Sequence, residues 1–239
     1  MEPVDSETVV LRPGVLGSEV DCPVRWCRSS RARRVSLRID ARAGAVVVTL
    51  PMRTARRAGM SLLATHAAWV MQRLAALAPP LPFAPGVEIP LGGRPHVIRH
   101  DPAARGGAFL DGATIVVSGA AEFLPRRVRD FLRAEAKRRI ALLAEGHAAT
   151  LGVKIAAIRL KDTNSRWGSC APDGTLAFSW RLVMAPGDVL DYVVAHEVAH
   201  LRELNHSPRF WAHVERLTPN REKAQDWLRD NGPALLRIG

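Results

Sequence analysis

Along residues 33–40, Val35, Leu37 and Ile39 alternate with polar positions. That period of two predicts a strand with one wet face. A turn at 41–44 leads into the β-branched run 45–50, which reads as the hairpin partner and ends at Pro51. The spacing then changes. Leu62, Leu63, Ala67, Val70, Met71 and Leu74 fall on one side of a helix over 54–78, and Pro79-Pro80 stops it. Three short strands follow at 87–91, 94–100 and 114–118, punctuated by Gly92-Gly93 and Asp111-Gly112. Residues 1–30, with Pro3, Pro13, Gly14, Gly17 and Pro23, show no period and read as irregular.

The second half is more helical. Val128, Phe131, Leu132, Ile140, Leu143 and Ala144 make an apolar stripe on a long helix over 125–150. A strand is expected at 155–162 and a polar loop at 163–174. A second strand at 175–184 puts Leu176, Phe178, Trp180 and Leu182 on one face. After a turn at 185–188, Asp188 is placed to cap a helix running to about 204. The class is α+β. An irregular segment (1–30) precedes a small α+β domain (31–120) and a helical domain with a small sheet (121–239).

Composition narrows the setting. The chain has 239 residues, 47% hydrophobic and 24% charged, which is ordinary for a globular protein. No apolar run approaches the roughly 20 residues of a membrane-spanning helix, so no membrane insertion is expected. The start lacks a basic, then apolar, signal pattern, and a cytoplasmic location follows by default. Three cysteines, Cys22, Cys27 and Cys170, suggest no disulfide framework, and Cys22 and Cys27 read as reduced thiols. The net charge of +11, carried mostly by arginine, admits a nucleotide or nucleic-acid partner as well as an ordinary solvated surface.

The candidate chemistry lies in His196-Glu197-Val198-Ala199-His200. Four residues are just over one helical turn, so both imidazoles leave one face and can share a metal ion. Zn2+ suits imidazole donors and an open fourth position. Glu197 follows the first ligand and is placed to take a proton from water activated by the metal. His206 is the third candidate ligand. On a continuous helix it would sit about 240° round the axis from His200, so the helix must end first. Asn205 tolerates a left-handed exit, and Ser207-Pro208 reads as the cap and first residue of a new helix.

The run Asp191-Tyr192-Val193-Val194-Ala195-His196-Glu197-Val198-Ala199-His200, with Asn205-His206-Ser207 and Phe210-Trp211, resembles the YgjP-like metallopeptidase family. Ser165-Arg166-Trp167-Gly168-Ser169-Cys170, Phe178-Ser179-Trp180-Arg181-Leu182, the Arg-rich hairpin at 31–51 and Trp69 also match its pattern. The resemblance spans about 30–235. It implies a zincin core, akin to SprT-like and HtpX-like proteases, with the active helix under a small sheet, and hydrolase chemistry, without settling the substrate. The His-to-His spacing equals that of metzincins. Glu203 stands where those have Gly, so the helix exit must differ.

Arg166 reads either as a group that stabilises a developing oxyanion or as an ion pair fixing its loop. Tyr192, one turn before His196, reads either as a transition-state donor or as core. Asp191, Glu203 and Glu215 are candidates to orient the histidines. The leading expectation is a peptidase whose substrate adds along 175–184 as an edge strand. The alternatives are a metal-dependent nucleotide phosphohydrolase, a nucleic-acid-associated protease and a non-catalytic zinc module.

Overall fold

A computed structural model describes residues 2–12, 19–164 and 166–239. The chain forms two compact units, 1–79 and 80–239.

In the first unit, β1 (Glu2–Leu11), β2 (Val20–Ser29), β3 (Ser36–Asp40) and β4 (Ala45–Pro51) form a sheet in the order β1-β2-β4-β3. β3 and β4 are the expected antiparallel hairpin. β1 and β2 correct the reading of 1–30 as irregular, although residues 1 and 13–18 of that segment lie outside the described residues. Pro3 and Pro23 misled because both sit where a sheet tolerates them. Pro3 is on the edge strand beside a register shift, and Pro23 precedes the β2–β4 ladder, which starts at Val24.

The expected helix over 54–78 is two, α1 (Arg56–Thr65) and α2 (Ala67–Ala75), broken at His66. Both cover one face of the sheet, where Leu63, Ala67 and Val70 meet Val24, Trp26 and Val48. Gly59 is the point of closest approach. A Cβ there would lie 2.5 Å from the Trp26 ring.

The second unit corrects the expected boundary near 120. β5 (Glu88–Leu91), β6 (Arg94–His100), β7 (Ala108–Asp111) and β8 (Thr114–Val117) form a sheet in the order β5-β6-β8-β7. Its apolar side, Ile89, Ile98 and Ile115, joins the core built on α3 (Leu124–Leu151). The Gly92 and Gly93 amides donate to the Val183 and Met184 carbonyls at 2.8 and 3.1 Å. α3 buries Val128, Leu132, Ala136, Ile140 and Ala144, a ridge at spacing four, and ends at left-handed Gly152.

β9 (Ala157–Lys161), β10 (Gly168–Cys170) and β11 (Thr175–Ser179) make a three-stranded sheet. Its order is β10-β11-β9, so β11 is central and β10 is an edge. The expectation of 175–184 as an edge strand is corrected twice. After Ser179 the chain tightens into a 3-10 helix, Trp180–Met184, all of it buried. Because every residue of 180–184 is buried, no wet face marks where the strand ends, and the alternation of 176–182 could not reveal the change. α4 (Gly187–Ala199), α5 (Pro208–Leu217) and α6 (Arg221–Leu235) complete the unit. Among the described residues no helix is long and apolar enough to cross a membrane.

Candidate metal centre

α4 is buried on nearly every side, with Val189, Leu190, Val193, Val194, Val198 and Ala199 in the core. Asp188 lies inside its first turn rather than at the cap, which is Pro186. There Asp188 pairs with Lys223 Nζ at 2.8 Å, and that bond holds its carboxyl below the usual range.

The helix ends at Ala199, so His200 is its C-cap. The exit differs from expectation. Among the described residues no non-glycine residue has positive φ, so Asn205 is not left-handed. Its Oδ1 instead accepts from Ser207 N at 2.9 Å. Ser207 Oγ accepts from Phe210 N at 3.3 Å and Pro208 opens α5, as the Ser-Pro pair predicts.

This corner brings the three histidines together. One ring nitrogen from each of His196, His200 and His206 lies within 4.8 Å of the others. His196 Nε2 and His206 Nε2 are 3.1 Å apart. Two imidazole nitrogens converging at that distance, with a third beside them, fit a single metal ion bound at about 2.0–2.1 Å. Burial first, then the neighbouring His200, His206 and Arg221, pushes His196 down to about 4. Burial lowers His200 as well. Both shifts favour the neutral ring, the form that ligates.

The supports of these rings were only partly legible. His200 Nδ1 donates to the Glu203 carbonyl at 3.0 Å, leaving Nε2 for the cluster. Asp191 is engaged instead by His147 Nε2 at 2.8 Å, and Glu215 by Arg221 at 3.7 Å. Burial pushes Asp191 up, but the bonds from His147 and Thr218 outweigh it and leave its carboxyl below the usual value. Phe210, fully buried, stacks on His200 at 4.4 Å. Trp211 stacks on His206 at 5.7 Å, and the Arg221 guanidinium lies 3.5 Å from the Trp211 ring centre.

Glu197 is 6% exposed, and burial pushes its carboxyl up to about 7 against the opposing charge of Arg166. It lines a cavity of about 330 Å³ with His196, Arg166, Gly168, Tyr192 and Gln225. The cavity thus brings together Glu197, His196, Arg166 and Tyr192 of the residues the sequence singled out, while His200 and His206 join His196 from α4's end and the corner, and Asp191, Glu203 and Glu215 do not line it. Gly168 and Gln225 were missed. A Cβ on Gly168 would lie 2.5 Å from Glu197 Cγ and Oε1, so the carboxylate rests on the edge strand's bare backbone. Gln225 Nε2 donates to the Tyr192 hydroxyl at 2.8 Å, leaving that hydroxyl's own proton free to be donated. Glycine in a polar loop and glutamine on an amphipathic helix carry no signal of this in sequence.

The three cysteines are free thiols. Cys22 and Cys27 are buried and free, and burial pushes the Cys22 thiol up to about 11. The basic face of α3 is partly neutralised within the helix, because Arg138 and Arg139 both bond Glu135.

A model of the YgjP-like metallopeptidase domain matches residues 33–231. The crystal structure of the metallopeptidase zymogen of Pyrococcus abyssi abylysin is similar at 23% identity and a TM-score of 0.35, over 37% of this chain and 90% of that one. That likeness is too slight to bear on fold or function. No curated protein matches significantly.

Proposed function

The chain belongs to the YgjP-like metallopeptidase family and is a metal-dependent hydrolase; from that premise we propose that it cleaves peptide bonds with zinc held by His196, His200 and His206 and with Glu197 as general base. The observation that carries this reading is the convergence of three imidazoles, one of which, His196, lines a cavity together with a buried carboxylate. Imidazole donors suit zinc, and three protein ligands leave a coordination position open. Bound there, zinc supplies Lewis acidity, which acidifies water and polarises a carbonyl.

The chain's own residues do the rest. Glu197 takes a proton from the attacking water and returns it to the leaving amine. A carboxyl near pKa 7 suits both transfers at neutral pH. Tyr192, whose oxygen accepts from Gln225, serves as a donor to the oxygen that gathers charge, and Arg166 adds a cation at the same cavity. The peptide adds along β10, the edge strand, rather than along the central β11.

Elemental analysis tests the metal. Untagged wild type should carry about one zinc per chain, and His206→Ala should weaken binding by at least about tenfold, since a whole ligand is removed. No zinc in wild type after it is supplied would sink the reading. An assay on peptides and on nucleoside triphosphates in parallel separates this activity from phosphohydrolysis.

Gly168→Ala gives a sharper test of geometry. Gly168 has no positive φ, so alanine suits the backbone, yet its methyl must displace the Glu197 carboxylate. Activity should fall about 100-fold, the cost of a misplacement near 1 Å, with zinc content unchanged. Full activity in this variant would show that Glu197 does not act from its observed position.

A further inference from the structure

The outer face of the β10-β11-β9 sheet has its own chemistry. Register sets Ser169 beside Ala177 and Ala177 beside Arg159, and it sets Ser179 beside Lys161. Paired residues share a face and alternate along each strand. These side chains therefore stand opposite Leu176 and Phe178, which belong to the core. Against this face lies a second cavity of about 160 Å³. Small Ala177 forms part of its wall, and Thr163 and Arg166 come in from the preceding loop.

Among the described residues its lining holds two cations, Lys161 and Arg166, the hydroxyls of Ser169 and Ser179, the Thr163 hydroxyl, which already donates to the Arg166 carbonyl, and no carboxylate. The adjacent Asp162 faces Arg181 at 3.0 Å. Ser179 is 1% exposed, and its Oγ has no hydrogen-bond partner among the described residues. A buried hydroxyl left unpaired is costly, so one lining a cavity marks a place for a ligand atom. Hydroxyls and cations without a carboxylate are the donor set for an oxyanion.

The cavity shares Arg166, Trp167 and Gly168 with the catalytic one. A peptide added along β10 turns successive side chains to opposite faces of the sheet. One residue then faces Glu197 while its neighbour faces the second cavity. The geometry points to an oxyanion subsite that takes the carboxylate of a Glu or Asp side chain next to the scissile bond. This assignment rests on the peptidase reading for its substrate, though the anion site itself does not.

Two arms test it on the metal-loaded full chain. The first compares peptide pairs that differ only by Glu or Gln, scanned across positions near the cut. Wild type should prefer Glu at one position by at least about tenfold in kcat/KM, the scale of hydrogen bonds to a charged group. Lys161→Met should bring that ratio near one. So should Ala177→Val, which fills the cavity without touching a charge. Lys161 is exposed, so its variant is expected to fold, and melting curves check both. A wild-type ratio near one, or a preference that survives both substitutions, overturns the proposal.

The second arm needs no cleavage. Glutarate and inorganic phosphate are titrated calorimetrically into wild type and both variants. Binding of glutarate that both variants lose supports the subsite even if no peptide is cut, in which case only the peptidase reading falls. Absence of binding by either anion overturns the subsite. Phosphate binding without glutarate overturns the carboxylate assignment and makes a phosphorylated side chain the source of the anion.

Discussion

Glu197→Gln should lower kcat/KM on a peptide substrate by about 1,000-fold, the middle of the range for loss of a general base, while zinc remains bound. Glutamine has the same shape, so the 6% exposed position stays filled and the three histidines keep their places. A second readout separates loss of a base from loss of structure. Burial holds the Glu197 carboxyl at about 7, above its unfolded value, so the folded protein binds this proton more tightly than the unfolded chain. In metal-free protein that group's contribution is full below the unfolded pKa and declines as pH rises through the window up to about 7. Glutamine carries no such penalty. The metal-free variant should therefore be at least as stable as wild type at pH 8. Activity within tenfold of wild type, with zinc content equal, would remove Glu197 from the reaction.

The largest effect on stability is expected at Arg181, whose side chain is fully buried. Its Nε bonds Asp162 at 3.0 Å, and its guanidinium also donates to the carbonyls of Leu235, Ile238 and Gly239. Those carbonyls belong to the end of α6 and the segment that pairs with Leu81. Arg181→Met keeps much of the bulk but strands several acceptors at once. Breaking a buried, hydrogen-bonded ion pair costs about 3–5 kcal/mol. Because Asp162 is 28% exposed and can rehydrate, about 3 kcal/mol is the better expectation. Denaturant unfolding measures it, and residues 235–239 should become protease-sensitive. A loss below about 1 kcal/mol, the worth of one ordinary hydrogen bond, would show that the clamp is not what holds this end.

The reach of the sequence follows from where its physics is local. The ridge of α3, the two helix histidines and the Ser207-Pro208 restart depend on spacing and capping within a few residues, and each is found in the structure. The partner of a strand is not local. β5 to β8 read as strands, but nothing along 87–118 reveals that Gly92 and Gly93 bond the 3-10 turn ninety residues on. Strand order is equally hidden, which is why β11 was expected at an edge. Arg181 sits among apolar residues in sequence and gives no hint that four backbone and side-chain oxygens await it. The three candidate ligands and Glu197 could be chosen by spacing alone. Gly168, Gln225 and the His147–Asp191 pair could not, because each acts through a residue far away in the chain.

The edge that β10 offers is only three residues long. A strand that short can form only a few main-chain bonds with an incoming chain, so length contributes little to the grip and side chains must carry the selectivity. On the proposed mode of binding, an enzyme of this kind would read only a few neighbouring residues. Tetrapeptides and pentapeptides should then serve as well as whole proteins. The limit on its choice would be whether a suitable stretch of chain is unfolded and within reach.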